Sequence, residues 1–272
     1  MTTAPRTPPR VLLEPELLHS SPKALVWHDG LIAGVRGLTL SLGVQAGPEA
    51  PKAAMFDDEW EETDPLTPVG ITLRPFGSPA AVLALPAPEG TRNTMRWTAD
   101  FGDVEPHQAL LDIYIKPLGL HITRMLDGTG EQNTPEAAQQ DIAAPRPRLL
   151  AGPEILYDED GYVVWQHGVV VNPAGLHSTL EVIVDPSRTD IELLGDGWQL
   201  GERGEGSPPP LGIRITDGGQ PVVAQRGGIA GSERALTCSR SFPSPASRYM
   251  SAHFDVPPLG LSASRELHDV RA

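Results

Sequence analysis

An acidic segment is the sharpest chemical feature of the chain. Six carboxylates lie within residues 57–64, around a single tryptophan. Converging carboxylates can bind calcium, and negative charge beside an aromatic side chain can bind a basic protein surface. A solvated surface loop is the third interpretation. We predict a partner-binding site formed by Asp57, Asp58, Glu59, Trp60, Glu61 and Glu62.

The neighbouring pair His28-Asp29 could belong to a hydrolytic site, in which a histidine activates a serine and a carboxylate orients the histidine. Adjacent residues on a strand project to opposite faces, so these two side chains cannot pair with each other there. In a later, similar stretch the histidine, His167, has moved by one position, which places it on the other face. The sequence therefore predicts no shared catalytic histidine, and Gly-x-Ser-x-Gly is absent.

Metal and cofactor sites are not indicated elsewhere. The single cysteine, Cys238, aligns with Trp97 and is predicted to lie in a core. The eight histidines show no zinc-like spacing with it. Asp158-Glu159-Asp160-Gly161 resembles part of a calcium loop but lacks the bidentate glutamate downstream, so a hairpin turn is predicted. No catalytic residue, metal or cofactor is expected.

A long internal repeat organises the chain. The stretch around Trp27 returns around Trp165, and the register holds without a gap from Arg10 and Arg148 to Trp60 and Trp198. After a small shift, Pro-Leu-Gly-Leu at residues 117–120 matches the same four residues at 258–261. Conserved spacing over this length is the signature of a duplicated structural unit. The acidic segment differs most, because the second copy keeps only Asp196 and Trp198 there.

Short strands are predicted throughout both copies. The chain holds 28 Gly and 29 Pro, which interrupt helices. Alternating or continuous apolar runs predict strands. In the first copy these are 24–32, 38–44, 69–73, 80–85, 95–101, 110–115 and 120–126. In the second copy they are 162–171, 176–184, 211–215, 222–225, 235–239, 249–256 and 261–267.

These counts predict an all-β protein of two tandem, internally duplicated antiparallel β-sandwich domains. The expected organisation is a flexible tail at 1–9, a first sandwich at 10–126, a linker at 127–147 and a second sandwich at 148–272. Pairing of the two halves into one continuous sheet remains an alternative at this stage. Trp27 and Trp165 are expected to anchor the cores.

The charge and the termini exclude several classes of partner. The net charge is −14, and neither half carries a basic stripe, which disfavours nucleic acids and anionic membranes. No apolar run is long enough for a membrane span, and the N-terminus lacks the apolar core of a signal peptide. With one cysteine, no intrachain disulfide can form. A cytoplasmic location is expected.

The strand Trp-(His/Gln)-x-Gly, the closing Pro-Leu-Gly-Leu and a GC-rich composition loosely resemble uncharacterised actinobacterial hypothetical proteins. The resemblance implies an all-β fold and no activity. Two functions therefore remain open. The favoured one is a non-enzymatic tandem sandwich that acts through protein–protein contacts, with a basic partner or self-association through sheet edges as options. The alternative is a hydrolase-like enzyme with a site at the interface between the repeats.

Overall fold

The structure is a computed structural model of the 272-residue chain. It describes residues 7–47, 49, 69–75, 89–91, 93–102, 109–126, 145–185, 187–193, 198, 209–247 and 249–268. The chain divides into two compact units, one formed by residues 11–148 and the other mainly by residues 149–272. Apart from two short 3-10 turns, every regular element of the described residues is a β-strand.

Nine strands of the described residues belong to the first unit. They are β1 (Arg10–Leu13), β2 (Glu16–Ser20), β3 (Ala24–Gly34), β4 (Gly37–Ala46), β5 (Val69–Pro75), β6 (Glu89–Thr91), β7 (Thr94–Asp100), β8 (Ala109–Ile115) and β9 (Leu120–Leu126). A six-stranded main sheet has the order β1-β3-β4-β7-β6, and β2 also pairs with β3. A small sheet has the order β5-β8-β9.

In the part of the second unit that the structure describes there are ten strands. They are β10 (Arg148–Ala151), β11 (Glu154–Glu159), β12 (Tyr162–Asn172), β13 (Gly175–Val184), β14 (Gly212–Asp217), β15 (Gln220–Val222), β16 (Arg226–Ser232), β17 (Ala235–Phe242), β18 (Met250–Val256) and β19 (Leu261–Leu267). Its main sheet has the order β10-β12-β13-β17-β16, with β11 on β12. This strand order corresponds to that of the first main sheet. The small sheet has the order β15-β14-β18-β19.

One apolar layer lies between the two sheets of each unit. In the first unit, Val26 and Leu40 of the main sheet pack with Ile71 and Ile113 of the small sheet. The layer of the second unit combines residues such as Leu180, Val182, Ile213 and Phe254. Alternate residues of each strand supply these side chains, as expected for a sheet with one face on a core. The predicted class of antiparallel β-sandwiches is confirmed.

Cys238 lies in the second apolar layer, as predicted. It is fully buried opposite Leu180 on β13. Burial raises the pKa of its thiol and outweighs the nearby charge of Arg240. The thiol is therefore a core side chain, not a reactive group.

Trp27 and Trp165 are buried, with exposed fractions of 0% and 1%. They are absent from the two apolar layers, which contain their strand neighbours Val26 and Val164. Since successive residues of a strand project to opposite faces, both tryptophans lie on the main-sheet face away from the layer. The prediction that both are buried core side chains is confirmed, and they lie on the face of the main sheet opposite the apolar layer.

The repeated Trp-x-x-Gly motif is a β-bulge. The pairing of β3 with β4 shifts between His28 and Leu31, and that of β12 with β13 shifts between Gln166 and Val169. The glycine at each shift, Gly30 or Gly168, has a φ of 102° or 120°. A Cβ on Gly30 would also lie 2.9 Å from the carbonyl oxygen of Leu13. Glycine is required there because other residues rarely adopt this conformation.

Two further motifs are turns. Asp160 and Gly161 have φ values of 53° and 82° and connect Glu159 to its partner Tyr162, which confirms the predicted hairpin turn. The Pro-Leu-Gly-Leu repeats form the 3-10 turns Lys116–Leu118 and Pro257–Leu259. Each ends at a glycine whose amide bonds back to the start of the turn at 3.0 Å. These motifs shape the backbone between paired strands.

The strand predictions differ from the structure in one shifted strand and in several short strands that were not predicted. The predicted strand 222–225 is β15, at residues 220–222, and a separate strand, β16, follows it. The short strands β1, β2, β6, β10 and β11 were not predicted. Predicted strand 80–85 and most of the predicted linker, 127–144, lie outside the described residues, while 145–147 carry no regular structure. Within the described chain, no helix has the length and hydrophobicity required to cross a bilayer.

Candidate functional site

The predicted binding residues Asp57, Asp58, Glu59, Trp60, Glu61 and Glu62 lie outside the described residues. The structure describes what flanks them in the chain. β4 ends at Ala46, and β5 begins at Val69 as the first strand of the small sheet. The acidic segment is therefore joined, within a few residues, to the sheet that contains β5, β8 and β9.

His28 and Asp29 do not act together. His28 Nδ1 accepts a hydrogen bond from the Gly30 amide at 3.1 Å. Asp29 instead accepts hydrogen bonds from the indole of Trp27, at 3.1 Å, and from the guanidinium of Arg96. The two side chains thus have different partners on opposite faces of β3, as strand alternation predicts.

An ion pair connects the two sheets of each unit. Arg124 on β9 donates two hydrogen bonds to Glu16 on β2, at 2.7 and 3.2 Å. Burial would raise the pKa of Glu16, but the proximity of His28 and the paired charge of Arg124 outweigh burial and lower the pKa from 4.5 to about 2. Arg265 and Glu154 form the corresponding pair in the second unit, with both contacts at 2.5 Å. Their equivalent positions and bidentate geometry indicate a structural role.

Trp27 and Trp165 each donate the indole N–H to a carboxylate. Trp165 Nε1 lies 2.8 Å from Oε2 of Glu181, and His167 Nε2 lies 3.3 Å from the same oxygen. The rings of Trp165 and His167 also stack, with centroids 3.8 Å apart. In the first unit, Asp29 takes the place of this glutamate and Arg96 that of the histidine. Buried polar groups usually need hydrogen-bond partners, and the two clusters supply these partners with different side chains.

An exposed face of the first small sheet is the best candidate for binding. We call it the outer face. It comprises the side chains of β5, β8 and β9 that alternate with the apolar layer. The cross-strand register places Leu110 beside Met125, Asp112 beside Thr123, and Tyr114 beside His121. Tyr114 and Met125 are large side chains that are 45% and 53% exposed on this face.

The outer face has a defined arrangement. Asp112 lies in the middle, where Thr123 donates to it at 2.6 Å and His121 Nε2 lies at 3.5 Å. Tyr114 packs edge-on against His121, with ring centroids 6.4 Å apart. Tyr114 and Leu110 stand four residues apart on β8, a distance of roughly 13 Å along a strand. Two apolar anchor points therefore flank a central carboxylate.

The equivalent face of the second unit is polar. The register of β14, β18 and β19 puts Asp255 beside Ser262, His253 beside Ser264, and Ser251 beside Glu266. His253 contacts two hydroxyls, Ser264 Oγ at 2.6 Å and Ser251 Oγ at 3.1 Å. Asp255, the nearest carboxylate along β18, instead accepts from Ser262 and Arg214. Among the described residues, His253 thus bonds to hydroxyls and not to the carboxylate that would orient a catalytic histidine.

Sequence reasoning did not find the outer face, although a signal was present. Residues 109–115 form a nearly continuous apolar run, in which Leu110 and Tyr114 occupy the positions that a half-buried strand usually gives to polar residues. Large apolar side chains at such positions mark either a second buried face or a contact surface. The structure shows that the side chain of Tyr114 is exposed. No group of three or more metal-ligating side chains occurs within the described ranges.

Comparisons with known proteins identify no family. No protein-family model and no curated protein matches the chain. Among solved structures, it is similar to a conserved domain protein from Bacillus anthracis, at 12% identity over 88% of this chain and 76% of that chain, with a TM-score of 0.27. It is also similar to a tandem of titin Ig domains, at 7% identity over 96% and 95% of the two chains, with a TM-score of 0.16. Both TM-scores are too low to support a conclusion about this chain.

Proposed function

We propose that the protein is a non-enzymatic tandem β-sandwich that binds a basic protein partner through the outer face of the first small sheet and the adjoining acidic segment. The observation that carries the proposal is the exposure of Tyr114 and Met125 on either side of Asp112. Tyrosine and methionine are enriched in protein interfaces relative to the remaining surface. A cytoplasmic location is part of this proposal.

The negative charge of the chain favours a partner with a basic surface. The chain carries a net charge of −14, and the acidic segment ends shortly before Val69, which pairs with Ile115 next to Tyr114. A basic surface with one or two apolar side chains would complement both the carboxylates and the anchor points. Electrostatic complementarity of this kind mainly increases the association rate, whereas the buried anchors determine the dissociation rate.

The test begins with capture of partners from the native host by the full chain, followed by measurement of binding with the purified partner. A Tyr114→Ala/Met125→Ala variant should raise the dissociation constant at least tenfold, which is the effect expected when interface anchors are truncated. Neutralising Asp57, Asp58, Glu59, Glu61 and Glu62 should lower the association rate and its dependence on salt. Binding kinetics by surface plasmon resonance at several salt concentrations separate the two effects.

The matched control is Ser262→Ala/Glu266→Ala, which alters the equivalent face of the second unit. This variant should bind as the wild type does. Equal binding by the wild type and the Tyr114→Ala/Met125→Ala variant, with unchanged thermal stability, would overturn the assignment of the outer face. A partner whose binding is independent of both salt and the acidic segment would overturn the assignment of a basic partner.

The alternative remains a hydrolase-like enzyme with a site at the interface between the two repeats. It requires a nucleophile, a histidine and an orienting carboxylate within hydrogen-bond reach. In the described parts of the chain, His28 lies near Glu16 and bonds to the Gly30 amide, and His253 bonds to hydroxyls. No specific observation favours this function over partner binding.

A further inference from the structure

We propose that the outer face binds a single arginine side chain of its partner, whose guanidinium lies on the ring of Tyr114 and donates to the carboxylate of Asp112. The inference rests on the proposed function, because it names the basic group that this face receives. It depends on the space beside Tyr114, on the orientation of the Asp112 carboxylate and on the hydroxyls that flank it.

The side of Tyr114 that faces β5 has space for a ligand group. On β9 its neighbour is His121, which packs edge-on against it. On β5 its neighbour is Gly70, which has no side chain. Among the described residues, a Cβ built on Gly70 would meet only the Cβ of Tyr114, at 3.9 Å. The glycine therefore leaves room beside an aromatic ring that is nearly half exposed.

The Asp112 carboxylate has one oxygen engaged toward β9. Thr123 Oγ1 donates to Oδ1 at 2.6 Å, and His121 Nε2 lies 3.5 Å from the same oxygen. Both contacts use Oδ1, so Oδ2 can accept from a group outside the chain. The Asp112 side chain is 18% exposed. Partial burial lowers the local dielectric constant and strengthens a hydrogen bond to a charged donor.

The spacing of these groups suits a guanidinium. Asp112 and Tyr114 are two residues apart on β8, so they stand roughly 7 Å apart on the same face. A planar guanidinium can stack within about 6 Å of the ring centroid while one of its N–H groups donates to Oδ2. Thr72 and Thr123 flank Asp112 across the two ladders, and their hydroxyl oxygens can accept from the remaining N–H groups. A lysine ammonium has neither the planar face nor the five donors.

Charges at the two ends of the outer face restrict the ligand to one cation. Arg74 lies beside Leu110 at one end, and Lys116 begins the 3-10 turn beyond Tyr114 at the other. Both are exposed. Like charges repel, so a run of basic residues along β8 is disfavoured, whereas a single cation over Asp112 is attracted. The expected ligand is therefore one arginine flanked by uncharged residues.

Titration of the isotope-labelled full chain with acetyl-Gly-Arg-Gly-amide tests the site by NMR without the partner. Amide signals of residues 70–72, 110–116 and 121–125 should shift saturably, with a dissociation constant on the order of 10 mM, as expected for one exposed cation. The same peptide with citrulline, an uncharged near-isostere, should cause no saturable shift. The lysine peptide should bind at least about threefold more weakly. A buffer near pH 8 keeps histidine side chains uncharged.

Two variants locate the binding. Asp112→Asn removes the charge but keeps an oxygen that accepts from Thr123, and Gly70→Val fills the space beside Tyr114. Each should weaken binding of the arginine peptide at least about fivefold, and thermal melting shows whether each variant is folded. The matched control is Glu266→Gln, which neutralises an exposed carboxylate of the second unit. It should bind the peptide as the wild type does.

The outcomes separate this inference from the proposed function. Absence of a saturable shift up to about 100 mM peptide, equal binding of the arginine and citrulline peptides, or shifts unchanged in Asp112→Asn overturns the arginine site. With the captured partner, Asp112→Asn should raise the dissociation constant about tenfold. A partner that responds to Tyr114→Ala/Met125→Ala but not to Asp112→Asn overturns this inference alone. A partner that responds to neither overturns the proposed function, while the peptide titration still decides the arginine site.

Discussion

Replacing Gly43 with alanine should destabilise the first unit strongly. Gly43 pairs with Trp27 across β4 and β3, and a Cβ there would lie 2.3 Å from Cε2 and Cζ2 of the indole. Ordinary contacts between carbon atoms are about 3.5–4.0 Å, so one group would have to move by more than about 1 Å. The indole cannot move easily, because it is fully buried and bonded to Asp29.

The expected cost is about 3 kcal/mol, at the upper end of the range for overpacking a buried site. For a unit of this size, such a loss lowers the melting temperature by roughly 10 °C. Calorimetry and urea denaturation of the full chain measure both quantities. Gly70→Ala is the matched control, because its added Cβ would lie 3.9 Å from the Cβ of Tyr114, an ordinary contact. It should change stability by less than about 0.5 kcal/mol.

Repeating the Gly43→Ala substitution in a Trp27→Ala background tests whether the clash with the indole causes the loss of stability. Trp27→Ala alone should cost about 3–5 kcal/mol, since it removes a large buried side chain. In that background Gly43→Ala should cost nothing, because the atoms it would meet are gone. A cost that persists without the indole, or a Gly43→Ala variant that melts like Gly70→Ala, would refute the steric explanation.

Three other predictions concern separate features. The folded-state pKa of Glu16, about 2, lies below the usual 4.5, so the stabilisation from its ionised form is present above pH 4.5 and lost as the pH falls toward 2. The difference in free energy of unfolding between wild type and Glu16→Gln, from urea denaturation, should therefore shrink over that interval. A pH-independent difference contradicts this. Trp165→Ala should cost about 3–5 kcal/mol, and a variant melting like the wild type would show that the indole is dispensable. Neutralising the five acids of the acidic segment should leave the melting temperature unchanged or slightly raised, because clustered like charges repel. Unfolding would make the segment structural, and a calcium-dependent melting temperature lost in the variant would establish a calcium site. The acids are Asp57, Asp58, Glu59, Glu61 and Glu62.

The strands that the sequence predicts well are those with one face on the apolar layer. In β13, alternation of apolar residues follows the pleat directly, and the predicted positions of Leu176, Leu180 and Val182 in the layer are confirmed. Ser178 interrupts that pattern, and the structure satisfies its buried hydroxyl with the carbonyl oxygen of Gly168 at 3.1 Å. Periodicity is informative in β13 because one face carries mostly apolar side chains and the other carries His177, Thr179 and Glu181.

Periodicity failed where the two faces of a strand do not differ in side-chain polarity. β3 and β12 are buried on both sides, so their apolar runs gave no means of assigning Trp27 and Trp165 to a face. β16 was not predicted for the opposite reason, because a strand that is nearly all exposed and rich in glycine has no hydrophobic pattern. Its existence depends on hydrogen bonds to β17, a partner that local sequence does not reveal.

The outer face shows a related limit. The register between β8 and β9 determines that Tyr114 meets His121 and that Leu110 meets Met125, and this register follows from the 3-10 turn between the strands. Strand alternation alone separated His28 from Asp29 correctly, since that conclusion needs only neighbouring residues. To predict contacts between side chains on two strands, the geometry of the connecting turn must be known as well.

Because Cys238 is buried, its reaction with a thiol reagent can be used to measure how often the second unit opens. It is the chain's one thiol, it is fully buried in the second apolar layer, and its pKa is raised. A thiol-specific reagent can therefore react only when that unit opens, and each labelled molecule records one opening. Where reclosing outruns labelling, the rate reports the opening free energy of the second unit alone. Mass spectrometry of labelled chain would then separate the stabilities of two units that optical melting curves combine.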